Sequence, residues 1–309
     1  MTLEHLAIVG PTASGKSALA LEVARALGDV ELVSVDSMQV YRGLDIGTAK
    51  PSAAEQARVP HHLIDVADPT DEWSVVRFQQ EARAAVADIE SRGKRALLVG
   101  GTGLYVQAVI DPLTFPPEDR TVRDAILARA GKGDDLHAEL LRFDPEAAAN
   151  IEPGNTRRLV RALEVIEITG QPFSSFGTGI QTFGDTVFPV RIAGVWLPRD
   201  VLNARIAERV EQMRDAGLVD EVRGLQQRGE LSRTAAQAIG YREVLTALDA
   251  VGLDGKIELD VALEASVVRT RQFARRQRMW FRRDPRISWF GAPGNACTVL
   301  PALLASWSA

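Results

Sequence analysis

Apolar positions along this chain follow two rhythms. The first is the short, mostly apolar run: Leu6-Ala7-Ile8-Val9, Glu31-Leu32-Val33-Ser34-Val35, Arg95-Ala96-Leu97-Leu98-Val99 and Arg191-Ile192-Ala193-Gly194-Val195-Trp196-Leu197. Such runs lack the polar alternation of a half-exposed strand. They predict strands buried on both faces, as in a parallel sheet covered by helices. The second rhythm is helical. Leu19, Val23 and Leu27 recur at four-residue spacing. Val75, Phe78, Ala82, Val86 and Ile89 share one face, as do Leu159, Leu163 and Ile166, and again Leu202, Ile206, Val210 and Met213. Each set predicts a helix with one apolar stripe: residues 18–27, 74–90, 155–169 and 200–213. Further helical stretches are expected at 122–130, 136–143 and 217–225. A turn into a helix is expected at 239–243, and a long helix from about 257 to 283. Asn155 is placed to cap its helix, and Gly170 followed by Pro172 to stop it. Residues 43–66, punctuated by Gly43, Gly47, Pro51 and Pro60, read as irregular.

Between the first strand and the first helix lies Gly10-Pro11-Thr12-Ala13-Ser14-Gly15-Lys16-Ser17, which fits the phosphate-binding loop pattern in its required strand–loop–helix setting. Its backbone N–H groups and the helix N-terminus would hold phosphate. Lys16 would reach the outer phosphates, and the Ser17 hydroxyl could ligate Mg2+. The pattern is that of nucleotide-binding, chiefly ATP-binding, loops. The second strand delivers Asp36-Ser37-Met38-Gln39-Val40-Tyr41 to its C-terminal end, where open α/β sheets bind ligands. Asp36 is either a functional group beside the phosphate loop or a turn cap. The third strand ends in Gly100-Gly101-Thr102-Gly103, where many such proteins carry an acidic Mg2+ ligand. Its absence points away from nucleotide hydrolysis. The glycines permit close backbone approach to a ligand, and Thr102 offers a hydroxyl. From Pro112, Pro116 and Pro117 to about Gly184 the strands stop and only helices are expected. The fold class is therefore α/β: a P-loop NTPase-like parallel sheet flanked by helices in residues 1–111 and 186–309, with a mostly helical insertion at 112–185.

The composition of the 309 residues is that of an ordinary globular protein, 46% hydrophobic and 25% charged. No apolar run is long enough to span a membrane, and the first residues do not read as a secretory leader. The single cysteine, Cys297, excludes a disulfide within the chain and a cysteine zinc site, and fits a cytoplasmic setting. His61-His62 has no acidic or cysteine partners at metal spacing and reads as loop packing or substrate-adjacent. The net charge of −5 argues against nucleic acid, but its distribution argues the other way. Residues 269–286 hold eight arginines against Asp284 alone, a local +7 that leaves −12 for the rest. Within it, Arg271, Arg275, Arg278 and Arg282 share a helical face, with Phe273, Gln277 and Trp280 on another. The helix at 155–169 carries Arg157, Arg158 and Arg161. On pattern alone these are equally a solvated face or a phosphate contact.

Taken together, Gly10–Ser17, Asp36–Tyr41, Gly47-Thr48-Ala49-Lys50-Pro51, His61–Asp65, Gly100–Tyr105, Asn155–Val165, Ile239-Gly240-Tyr241 and Thr270–Gln277 resemble the bacterial tRNA dimethylallyltransferase family, in order and over nearly the whole chain. The resemblance implies transfer of a dimethylallyl group from dimethylallyl diphosphate to N6 of adenosine 37, next to the tRNA anticodon, with release of diphosphate. Catalytic roles then fall to Asp36 as base, Thr102 in orienting the amine or the base, and Lys16. The diphosphate would be held by Gly10, Pro11, Thr12, Ala13, Ser14, Gly15, Lys16, Ser17 and Arg209, with Mg2+ on Ser17. Contacts to the anticodon stem-loop would come from Asp36, Ser37, Met38, Gln39, Thr102, Arg123, Arg157, Arg158, Leu159, Val160, Arg161, Gly240, Tyr241, Arg242, Arg271, Gln272, Arg275, Arg276 and Gln277. A cytoplasmic monomer is expected. The alternatives are a P-loop kinase acting on a small metabolite and an isopentenyltransferase acting on free adenosine phosphates. The helical insertion and the basic C-terminal helix argue against the second, because a small acceptor needs neither.

Overall fold

The computed structural model describes residues 3–176, 180, 182–250 and 255–308. Among the described residues, six strands form one sheet: β1 (His5–Val9), β2 (Val30–Val35), β3 (His61–His62), β4 (Arg95–Gly100), β5 (Val190–Trp196) and β6 (Ile287–Gly291). Their order is β3-β2-β4-β1-β5-β6, and every pairing is parallel. The helices are α1 (Lys16–Leu27), α2 (Ala53–Arg58), α3 (Val75–Ser91), α4 (Gly103–Ile110), α5 (Arg120–Gly131), α6 (Leu136–Phe143), α7 (Pro145–Asn150), α8 (Thr156–Thr169), α9 (Arg199–Asp215), α10 (Leu218–Arg228), α11 (Tyr241–Ala250), α12 (Gly255–Phe281) and α13 (Leu300–Ser308). This is a P-loop NTPase-like fold.

The mostly apolar runs have a simple cause. Successive side chains on a strand point to opposite faces, and here both faces are covered. Ala7, Val9, Val33, Val35, Ala96 and Leu98 enter one core with Phe78 and Ala82 of α3 and Val222 of α10. Leu6, Ile8, Leu32, Leu97, Ala193 and Val195 enter the other with Leu19 and Val23 of α1 and Leu303 of α13. Two strands escape the apolar-run rule. β3 is only two residues long, and β6 follows the arginine-rich segment with one buried position, Ile287. Within the stretch read as irregular, α2 forms behind a capping box in which Ser52 and Glu55 satisfy each other's backbone N–H groups.

The chain divides into two compact units, residues 1–110 with 186–309, and residues 111–185. The smaller unit is helical. Its core joins Ile126, Leu136, Leu140, Ala148, Leu159, Val160 and Leu163. Asp119, Asp135, Asp144 and Asn155 cap α5, α6, α7 and α8 by accepting from backbone N–H groups of the first turn.

Candidate active site

The phosphate-binding loop leaves β1 and enters α1 through Gly15, which caps the helix at φ 87°. That left-handed conformation favours glycine. The N–H groups of Gly15, Lys16 and Ser17 have no protein acceptor among the described residues, so they and the helix N-terminus present positive potential. The loop is one wall of a cleft of about 360 Å3, also lined by Ser34, Asp36, Gln39, Thr48, Ala49, Gly100, Arg205, Glu208, Arg209 and Gln212. The sheet places its floor. Val35 pairs with Gly100 in adjacent parallel strands, so Asp36 emerges at the same end as the glycines of β4.

Cationic groups dominate this cleft. Lys16 Nζ donates to the Pro11 carbonyl at 3.2 Å. Burial pushes its pKa down to about 8, against the opposing pull of Asp36 and with a further push from Arg209. The Arg209 guanidinium is also held below its ordinary range by burial, although Asp36 favours its charge. Arg209 Nη2 donates to Thr12 Oγ1 at 2.8 Å. Three buried polar atoms here have no partner among the described residues: Ser14 Oγ, Arg205 Nη1 and Arg209 Nε. Leaving one such group unpaired costs about 1–3 kcal/mol. Two of the three, Arg205 Nη1 and Arg209 Nε, belong to residues that line the cleft.

Asp36 holds its own loop with one oxygen: Oδ1 accepts from Met38 N at 2.9 Å and from Gln39 N at 3.4 Å. Both readings of this residue therefore apply, because Oδ2 takes no hydrogen bond among the described residues and Asp36 lines the cleft. Gln39 is fixed by its neighbours. Its amide donates to the Thr48 and Ala49 carbonyls, and its oxygen accepts from Ser34 Oγ at 2.7 Å. The segment that brings Thr48 and Ala49 to the cleft is anchored by Glu221, which accepts from the N–H groups of Asp45, Ile46 and Gly47. Lys50 secures it from within by donating to Tyr41 O and Asp65 Oδ1.

The structure brings Gly15, Lys16, Ser17, Thr12, Ala13, Asp36, Gln39 and Arg209 together around one cleft. It does not bring Thr102 there. That residue immediately precedes α4, two positions beyond Gly100, with its carbonyl accepting from Tyr105 and Val106. Ser37 and Met38 are half-buried in the loop after β2 and do not line the cleft. Several residues assigned to RNA by resemblance are committed to the interior instead. Leu159 and Val160 are core residues of the helical unit. Tyr241 is fully buried, and its hydroxyl donates to Glu221 and accepts from Gly47 N. Gln277 is buried between the loop and the end of β4. Arg123 and Arg161 are bound to Glu164, which is 0% exposed, and Arg161 also donates to the Pro116 and Pro117 carbonyls. Exposed and open to a partner are Arg157 and Arg158 on α8, and Arg271, Gln272, Arg275 and Arg276 on α12. Gly240 donates its N–H to Glu243, and the same carboxylate pairs with Arg242. His62 pairs with Glu31 at 2.8 Å, and Arg92 and Lys94 bind the same carboxylate. Their hydrogen bonds overcome its burial and hold Glu31 down to about 2. Arg205 was missing from the residues expected at the cleft, although its spacing of four from Arg209 already placed the two on one helical face.

Fold and loop together define a protein of P-loop NTPase-like fold, with a cleft at the phosphate-binding loop. The IPP transferase family model matches residues 39–284, and the isopentenyl transferase model matches residues 3–66. The chain belongs to the IPP transferase family. It is 50% identical over 300 residues to tRNA dimethylallyltransferase of Kineococcus radiotolerans, across 94% of this chain and 92% of the relative. It is 49% identical over 298 residues to that of Corynebacterium efficiens, across 94% and 95%. The crystal structure of a tRNA isopentenylpyrophosphate transferase from Bacillus halodurans matches with a TM-score of 0.71 and 39% identity, covering 99% of this chain and 95% of that one. A eukaryotic dimethylallyltransferase acting on tRNA matches with a TM-score of 0.79 and 26% identity, covering 99% and 79%.

Proposed function

We propose that this protein transfers the dimethylallyl group of dimethylallyl diphosphate to N6 of adenosine 37, beside the anticodon of tRNA, and releases diphosphate. The observation that carries the reading is the cleft itself: a phosphate-binding loop, Lys16, Arg205 and Arg209 facing Asp36 at the C-terminal end of the sheet. The relatives' shared name, tRNA dimethylallyltransferase, supports it.

In the reaction, N6 attacks the terminal carbon of the dimethylallyl group as the bond from that carbon to the diphosphate oxygen breaks. The bonding pair leaves with diphosphate, and the N6 proton must be accepted. Asp36 is the base in this reading, since Oδ1 anchors its loop and Oδ2 is left for the proton. Charge develops on the departing oxygen, where fixed donors lower the barrier most. Lys16, Arg205, Arg209 and the loop N–H groups supply them. Ser17 fits a role as Mg2+ ligand: it is an exposed hydroxyl on the first turn of α1, it lines the cleft, and it takes no protein hydrogen bond among the described residues. With phosphate oxygens and water it would complete the oxygen set that Mg2+ prefers, and the ion would add positive charge at the leaving group. The target adenosine must leave its stack to enter the cleft. The exposed arginines of α8 and α12 offer phosphate contacts for a cytoplasmic tRNA partner, with the enzyme acting as a monomer.

The test is incubation of purified protein with dimethylallyl diphosphate and tRNA, followed by mass spectrometry of anticodon-loop nucleosides. A dimethylallyl adduct on adenosine is expected. Efficient ATP turnover without RNA, and no adduct, would replace this reading with the kinase.

A further inference from the structure

Gln277 lies on the arginine-rich helix α12, yet it is 5% exposed and both ends of its amide are engaged. Oε1 accepts from Thr12 N at 2.8 Å, and Nε2 donates to the Gly101 carbonyl at 2.8 Å. Thr12 in turn accepts on Oγ1 from Arg209 at 2.8 Å. One amide therefore joins the phosphate-binding loop to the end of β4, and through Thr12 it fixes a guanidinium of α9. Gly101 is fitted to this arrangement: a Cβ there would stand 2.4 Å from Gln277 Nε2. This gives a physical reason for glycine, in place of an acid, just after β4. Neutral amides are suited to the position because they accept at one end and donate at the other. A carboxylate can only accept, and a guanidinium can only donate.

We propose that Gln277 is a positioning residue for the diphosphate site, holding Thr12, the loop N–H groups and Arg209 in their working arrangement, and that it is not an RNA contact. The proposal rests on the reading of the cleft as a prenyl-diphosphate site. Removing the amide leaves Thr12 N and the Gly101 carbonyl without their buried partner, and the loop must move or admit water to satisfy them. A shift on the order of 1 Å at a reacting centre costs about 100-fold in rate.

The experiment compares wild type, Gln277→Leu and Gln277→Glu as full-length proteins. Three quantities are measured: binding of inorganic diphosphate by calorimetry, kcat and KM for dimethylallyl diphosphate, and affinity for an anticodon stem-loop RNA. For Gln277→Leu, kcat/KM should fall about 10- to 100-fold, inorganic diphosphate should bind more weakly, and RNA affinity should stay within about twofold. Gln277→Glu keeps the shape of the side chain and separates positioning from folding. Ionised, it sets an acceptor against the Gly101 carbonyl; protonated, it restores the accept-and-donate pair. Burial raises a carboxyl pKa, so the variant's diphosphate affinity, taken as a ratio to wild type, should recover as the pH is lowered from about 8 to about 6. The other charged groups around the cleft (Lys16, Asp36, Arg205, Glu208 and Arg209) are common to both proteins, so the ratio isolates position 277. Wild-type-like diphosphate binding in both variants would overturn the proposal. So would a loss of RNA affinity with diphosphate binding intact. Failure of the wild type itself to bind inorganic or dimethylallyl diphosphate would instead overturn the reading of the site.

Discussion

Two pairs of arginines, one pair in each unit of this protein, are used in opposite ways. In the helical unit, Arg123 and Arg161 converge on Glu164, a carboxylate with no exposed surface that also accepts from Asp119 N. With Glu118 also pairing Arg123, the two charges are matched by acids of the same unit, and Glu164 ties α5 to α8. In the sheet unit, Arg205 and Arg209 line the cleft with buried nitrogens that have no partner among the described residues, beside a lysine whose proton affinity burial has lowered. The difference separates charge that builds the fold from charge held ready for a ligand. Both kinds look alike in sequence, as arginines at helical spacing.

Asp36→Ala should have the largest effect, lowering turnover by about 10²–10⁴ while RNA affinity stays nearly intact; single-turnover kinetics alongside filter binding would check this, and surviving turnover would remove Asp36 as base. Next, Glu164→Ala should destabilise the helical unit by about 3 kcal/mol, because it removes the buried carboxylate that two partly buried guanidinium groups share. Chemical denaturation measures that loss, while inorganic diphosphate binding at the cleft should be unchanged.

Lys16 gives a smaller effect and one that depends on pH. Its folded-state pKa is down to about 8 from the usual 10.5. The ammonium of the unliganded protein is therefore lost as pH rises past 8, and diphosphate affinity should fall by about tenfold between pH 7 and 9. Lys16→Met should bind weakly throughout and lose this step; an identical pH profile would exclude Lys16 from the anion site. For stability the sign is reversed. Between 8 and 10.5 the unfolded chain holds a proton that the native protein has released, so the Lys16 contribution rises with pH. The mildest change is expected from Arg157→Ala with Arg158→Ala. RNA affinity should drop severalfold and the salt dependence should flatten by about one to two counterions, with stability unaltered. An unchanged slope would turn these residues into a solvated face.

Much of the sheet unit could be read from the chain because its signals are local. The run Leu6–Val9, the loop and the Leu19–Val23 stripe are contiguous, and each element's type is fixed by its own periodicity. The same holds for α8, whose cap Asn155 and stop Gly170 lie within the segment. β3 and β6 left little trace, since the first is two residues long and the second sits at a sheet edge with one buried position. At the site, Lys16, Ser17 and Asp36 belonged to recognisable patterns, whereas Arg209 was expected only from the family resemblance. Thr102 belonged to a recognisable pattern too, but it is not among the residues that line this cleft.

By itself, the sequence determined the phosphate-binding loop, the buried parallel strands, the helical segment between them and the concentration of arginine near the C-terminus. Each is a property of neighbours in the chain. Tertiary structure alone decided which charges are paired and which amides brace. Gln277 meets Thr12 across 265 positions, and Tyr241 meets Gly47 across 194. Periodicity tells which face of a helix a residue occupies, but the group waiting opposite that face is set by the packing of distant segments. That is why Gln277 and Tyr241, in stretches that resembled RNA contacts, prove to be interior supports of the loop and the cleft wall.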